Sequence, residues 1–89
     1  MVRYTRHALR RMRERGLSLD VVEDTLHSPD DILLDVATGR LIAINYSEGL
    51  VVVYEVRGGI FTVVTVIVVS DVGKLVKKRE VSGRWRRLK

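Results

Sequence analysis

The sequence predicts an α+β domain in which an N-terminal helical hairpin packs on a four-stranded antiparallel meander, followed by a basic C-terminal extension. Three observations predict it. Apolar residues recur at helical spacing before Pro29, β-branched runs separated by short glycine-bearing turns follow it, and after Val69 those runs give way to a cationic tail. The main unit is expected over residues 1–70, and 71–89 is expected to be a basic extension of the same domain.

The first helix lies within Tyr4 to Asp20. Thr5 suits its N-cap, because the hydroxyl can accept from a backbone N–H that the first turn leaves unpaired, and Gly16 suits the left-handed position that ends it. At 100° per residue Ala8, Leu9 and Met12 share one stripe, while His7, Arg10, Arg11 and Glu14 project away from its centre. Ser18 suits the cap of a second short helix with apolar contacts at Val21, Val22 and Leu26. Its early Asp20, Glu23 and Asp24 complement the positive end of the helix dipole. Pro29 ends it by disfavouring a helical conformation at Ser28.

Strands are expected from Ile32 to Val36, Arg40 to Tyr46, Leu50 to Arg57 and Ile60 to Val69. Thr38-Gly39, Ser47-Glu48-Gly49 and Gly58-Gly59 join them as hairpins, leaving no room for a parallel crossover. The third run is apolar on both faces, with Leu50, Val52, Tyr54 and Val56 on one and Val51 and Val53 on the other, and the fourth is similar. A sheet covered on one side only does not need that pattern. The second cover must come from the C-terminal segment, a twin subunit or a partner protein. Leu75, Val76, Val81 and Trp85 anchor the C-terminal segment, which is expected as a last strand followed by an irregular or helical end.

A net charge of +5 favours an acidic partner, either nucleic acid or an acidic protein. An anionic membrane is the weakest candidate, since Ile60 to Val69 is too short to span as a helix and contains Thr62 and Thr65. The N-terminus is a charged helix without the apolar core of a signal peptide, so a soluble, cytoplasmic protein is expected. The absence of cysteine removes disulfides, thiolate ligands and thiol nucleophiles together. His7 and His27 are separated by a helix break, with no carboxylate at ligand spacing, and no glycine-rich phosphate loop precedes a helix. No metal and no cofactor is therefore expected. What remains is metal-independent chemistry or binding.

His7, with Arg6, Arg10 and Arg11 around it, suits a phosphate-contacting site, because guanidinium forks match phosphate oxygens and histidine exchanges a proton near neutral pH. The plainer reading is a solvated charged face carrying an Arg10–Glu14 pair. In the tail, Trp85 stands among Arg84, Arg86 and Arg87, either to stack on a base or to plug the sheet face with its arginines reaching water. Tyr54 is a core aromatic or a proton-transfer group. Arg40 and Arg57, at strand ends, are solvated or reach a phosphate on the sheet.

The run TRHALRRMRERGLS, followed by SPDDIL, GRLIAI, LVVVYEV and FTVVTVI, resembles a small uncharacterised prokaryotic domain family allied to the RelE and BrnT toxins, over residues 4 to 69. The resemblance implies a compact α+β fold similar to metal-independent ribonuclease toxins, which cleave RNA and are neutralised by an antitoxin. His7, Arg10 or Arg11, Gly16, Arg40 and Tyr54 match its recurring positions. Ile67 and Val68 depart from it, standing where relatives often end the fourth strand with an aromatic.

The expectation is thus an RNA-binding protein acting as a metal-independent ribonuclease toxin. His7, Arg10, Arg11, Arg40 and Tyr54 are its catalytic candidates, and Arg6, Arg57, Arg84, Trp85, Arg86 and Arg87 its RNA-binding ones. The partners expected with it are RNA, free or ribosome-associated, an acidic antitoxin and a second copy of the chain, with no membrane. The alternative is a non-catalytic module that dimerises or binds a partner protein through its apolar sheet face.

Overall fold

A computed structural model describes residues 1–88. The chain runs β1 (Val2–Tyr4), α1 (Arg6–Glu14), α2 (Leu19–His27), β2 (Asp31–Asp35), β3 (Leu41–Asn45), β4 (Leu50–Arg57), β5 (Ile60–Val68), α3 (Val72–Val81) and β6 (Trp85–Arg87). This is a mixed α+β fold with three helices and one six-stranded sheet of order β1-β5-β4-β3-β2-β6. The expectation of four strands is corrected at both edges. β1 pairs parallel with β5, and β6 pairs antiparallel with β2. Between them β2 to β5 run antiparallel, each to the next.

Three-residue strands carry too little local signal to be read from Val2 to Tyr4 or from Trp85 to Arg87. Each exists because a longer neighbouring strand offers an edge to pair with. The C-terminal order is also corrected: the segment forms a helix first and a strand last.

Local chemistry sets the helix ends. Thr5 Oγ1 accepts the Ala8 N–H at 3.0 Å, Ser18 Oγ accepts that of Val21 at 3.2 Å, and Asp71 Oδ1 accepts that of Lys74 at 3.0 Å. α1 and α3 stop in the same way. Gly16 (φ 65°) and Gly83 (φ 79°) adopt the left-handed conformation that lets the following N–H, of Leu17 or Arg84, turn back to the Met12 or Arg79 carbonyl. Leu17 then packs with Met12 in the same core.

The two N-terminal helices lie on one sheet face: α1 makes its contacts with β5 and β1, α2 with β3 and β4. They bury Ala8, Met12, Val22 and Leu26 against Ala43, Leu50, Val52, Tyr54, Val63 and Val66. Leu9 stays 41% exposed, so the buried stripe of α1 is narrower than its apolar residues suggest. On the opposite face Val72 and Val76 of α3, with Trp85 of β6, cover Leu33, Ile42, Ile44, Val51 and Val53. The doubly apolar strands are therefore satisfied within one chain.

One irregularity positions everything described below. Val53 pairs with Thr65 but Tyr54 pairs with Val63, so Val64 is an extra residue, a β-bulge in β5. It shifts the phase of the strand: Val63 and Val66 both join the core under α1 and α2, while Val64 and Ile67 join the core under α3. Thr5 docks on the bulge. Its N–H donates to the Val63 carbonyl at 3.0 Å and its Oγ1 donates to the Val64 carbonyl at 2.9 Å.

Because Thr5 Oγ1 serves both the cap and the bulge, Thr5→Ala is expected to destabilise the protein by about 1–2 kcal/mol, the upper range for a lost N-cap. Thr5→Ser, which keeps both bonds, is expected to stay within about 0.5 kcal/mol of the parent. Urea unfolding of the three proteins makes the comparison. Deleting residues 71–89 uncovers five buried side chains at roughly 1.5–3 kcal/mol each. The truncated chain is expected to aggregate or lose its cooperative thermal transition; a soluble monomer with the parent's melting temperature in calorimetry and gel filtration would refute the covering role of α3.

Candidate functional site

Beside α3 and β6 the sheet face is not wholly filled. A cavity of about 200 Å³ is lined there by Asp35, Thr38, Arg40, Ile42, Val53, Thr65, Ile67, Arg79, Arg84 and Trp85. Strand periodicity puts these side chains together. Ile42 pairs with Val53 and Val53 with Thr65, giving one row across three strands, and Arg40 lies two residues before Ile42 on the same face. The bulge at Val64 sets the phase that lets Thr65 share this row.

His7, from the other layer, meets one of these lining residues, Thr65. β1 ends at Tyr4, opposite Val63, so the first turn of α1 begins at the edge of β5 just past the bulge. The exposed His7 ring bonds through Nε2 to Thr65 Oγ1 at 2.9 Å. Sequence spacing placed His7 off the buried stripe, facing solvent or its own first turn. The contact instead spans fifty-eight positions of chain.

The three arginines of the cavity are not equivalent. Arg84 is committed: its Nε and Nη2 donate to the two oxygens of Asp35 at 2.9 and 3.2 Å. Asp35 is only 6% exposed, and it also accepts the Ala37 and Thr38 N–H groups of its own turn. The Arg84 hydrogen bonds hold its carboxyl below the usual carboxylate range, against the opposing effect of burial. Arg40 Nε donates to Glu55 at 3.2 Å, a half-exposed pair that water screens. Arg79 has no carboxylate partner among the described residues. Its guanidinium carbon lies 5.7 Å from the centroid of the Trp85 ring, and its buried Nε has no hydrogen-bond partner there either. Arg11 shares the unpartnered Nε, but on α1.

The other sequence candidates are dispersed. Tyr54 is 4% exposed in the core under α1 and α2, stacked on Phe61 at 5.6 Å, and burial raises its pKa. The sheet thus separates it from the cavity. Arg6 and Arg10 are exposed on α1, Arg57 is exposed at the end of β4, and Arg86 is exposed on β6. Arg87 is held by Asp31 at 2.6 Å and Glu80 at 3.2 Å. Trp85 is 5% exposed and takes the plugging position, so no open indole face is offered to a base.

Arg79 and Thr65 are the residues that sequence reasoning missed. A signal for Arg79 was present: Val72, Leu75, Val76 and Arg79 stand at i, i+3, i+4 and i+7 behind an Asp71 cap and before Gly83. Thr65 carried none, because its face depends on the bulge.

Over residues 4–77 the chain matches the family described as a domain of unknown function, DUF4258. The chain belongs to this family. The DUF4258 match takes in His7, Arg40, Tyr54 and Thr65 and ends inside α3, before Arg79, Arg84 and Trp85. It therefore extends beyond Val69, into the segment read as a tail. Searches among curated proteins and among solved structures return no match. Among the described residues no helix is long and apolar enough to cross a membrane, and no three His, Asp or Glu side chains are grouped to hold a metal ion.

The Asp35–Arg84 pair has a pH signature. A carboxyl whose folded pKa is depressed adds stability that is fully present above its unfolded value, near 3.9, and is lost as pH falls through the folded value. Asp35→Asn is expected to melt lower than the parent at pH 7. The gap should narrow as pH drops below about 4, where the parent's own carboxylate protonates. Melting temperatures at pH 7 and pH 3 test this; an equal gap at both would assign the loss to something other than the charge.

Proposed function

We propose that this protein binds RNA and cleaves it without a metal, in the manner of the RelE- and BrnT-like toxins that its N-terminal motif resembles. The observation that carries the reading is the bond of His7 to Thr65, a residue that lines a cavity together with Arg40, Arg79 and Arg84. Transesterification needs a base for the ribose 2′-hydroxyl, cations for the charge that builds on the phosphorus oxygens, and a proton for the departing 5′-oxygen. In this reading Thr65 orients the His7 ring, and His7 takes the 2′-hydroxyl proton. The 2′-oxygen then attacks phosphorus, Arg79 and Arg40 hold the charge, and the 5′-oxygen leaves with a proton from solvent. The products are a 2′,3′-cyclic phosphate and a 5′-hydroxyl.

Tyr54 has no part in this scheme, since the sheet stands between it and the cavity. Arg6, Arg10, Arg57 and Arg86 supply general attraction for the rest of the strand. The partners that accompany the reading are RNA, free or on the ribosome, and an acidic antitoxin. Much of the apolar sheet face that motivated a protein-binding module is covered by α3 and Trp85.

Purified protein incubated with single-stranded RNA in EDTA, with and without ribosomes, is expected to give cyclic-phosphate ends. His7→Ala is expected to lower the cleavage rate by about a hundredfold or more while leaving RNA affinity within about twofold. Cleavage undiminished in His7→Ala removes the histidine from the mechanism. If the parent shows neither cleavage nor salt-sensitive binding, the RNA reading itself fails.

A further inference from the structure

We infer that the cavity between α3 and the sheet is a phosphate subsite that takes the sugar-phosphate portion of its ligand and leaves the base outside, with Arg79 as its principal grip. The identity of the ligand as RNA rests on the function proposed above; the phosphate chemistry does not.

Charge accounting within the cavity selects Arg79. Asp35 and Arg84 cancel in a two-point pair, and Arg40 is shared with Glu55 at 3.2 Å. Arg79 is left with an uncompensated guanidinium and a buried Nε without a partner among the described residues. A buried charged donor left unsatisfied is costly, and an anion with several acceptor oxygens relieves that cost. The charge is also held in place. Arg79 lies over the Trp85 ring, and its own carbonyl accepts the Arg84 N–H at 3.0 Å, so the backbone turn that closes α3 fixes its position against β6.

Size and lining are compatible with a small anionic group. About 200 Å³ exceeds the roughly 30 Å³ share of a water molecule but falls below the roughly 300 Å³ at which sites for whole drug-sized ligands begin. A phosphate with part of its sugar suits that space. Among the described residues Trp85 is the aromatic that lines the cavity; it is 5% exposed and has Arg79 over its ring, so it offers no stacking platform for a base. Recognition here is therefore of phosphate and sugar, indifferent to base identity.

The test follows the Arg79 Nε–Hε resonance in proton–nitrogen correlation spectra during titration with inorganic phosphate, ribose 5-phosphate, uridine, and an oligouridylate carrying 2′-O-methyl groups. Phosphate and ribose 5-phosphate are expected to shift the resonance and uridine to leave it in place. Arg79→Met, which keeps the apolar stem, is expected to weaken phosphate binding about tenfold or more. Arg79→Lys is expected to weaken it several-fold, because the fork is lost although the charge remains. Lys77→Gln, on the exposed side of α3, removes one charge away from the cavity and is expected to stay within about twofold. If Arg79→Met fails to fold, the lysine variant carries the comparison.

Competition between phosphate and the oligonucleotide assigns the site to an RNA phosphate. Phosphate binding through Arg79 with no RNA affinity supports the subsite and gives it to a small phosphorylated ligand, while the RNA reading falls. RNA binding that leaves the Arg79 resonance unmoved overturns the subsite and spares the RNA reading. Equal losses in Arg79→Met and Lys77→Gln, or unchanged phosphate binding in Arg79→Met, overturn it as well.

Discussion

The junction of Thr5 with the bulge at Val64 is the constraint on which the rest of the architecture depends. An extra residue in a strand leaves a backbone carbonyl outside the ladder, and a buried carbonyl without a donor is costly. Thr5 removes that cost with its hydroxyl while the same oxygen caps α1. The bulge is thereby fixed to one position in β5, and α1 to one position on the sheet. Neither holds its place without the other. The phase shift that follows puts Val63 and Val66 under the N-terminal helices and brings Thr65 to the opposite face, where the cavity forms. A cap at the start of a nine-residue helix thus decides which side chains line a cavity on the far side of the sheet.

Having two covered faces in so short a chain has a consequence for charge. With apolar residues on both sides of β3 and β4, polar groups are pushed to strand ends, turns and helix surfaces. Arg40, Asp35 and Glu55 sit at such ends, and the turn between β2 and β3 gathers them beside the tip of the α3–β6 unit. The cavity lies where the short covering layer stops before the sheet does. Its polar lining is the ordinary outcome of strand ends meeting a helix end, and its chemistry comes from which of those charges go unpaired.

Legibility from sequence followed the range of the interactions involved. Thr5, Ser18, Gly16 and the four apolar runs were readable because capping, left-handed glycine and β-branched alternation act within a few residues. β1 and β6 were not, because three residues state no period and their existence depends on edges supplied by β5 and β2. The phase of β5 was hidden for a different reason. From Ile60 to Val69 every residue is apolar or threonine, so no charged position marks where the alternation slips. His7 was singled out for its chemistry, but its partner Thr65 lies fifty-eight residues away and beyond that slip. Tyr54 shows the converse. Its chemistry was suggestive, and its alternation grouped it with Leu50 and Val52, the face that α1 and α2 cover in the fold.

The arginines show why a net charge of +5 is a poor guide to where an anion sits. Arg84 and Arg87 looked like a nucleic-acid patch because they flank a tryptophan in a cationic tail. In the fold they are fasteners: each binds an aspartate of β2 and so stitches β6 to the sheet edge. An arginine used in this way has its directional donors occupied, and a phosphate must displace a carboxylate to reach them. Arg79 lies five residues before Arg84, in the same basic segment, yet no carboxylate meets it among the described residues. The difference is not legible in residue type or local composition. It arises because Asp31 and Asp35 are spaced four residues apart on one strand, on the same face, so that each accepts an arginine from the neighbouring strand end and leaves none for the helix above. The free cation of the cavity is therefore defined by which carboxylates the sheet has already committed.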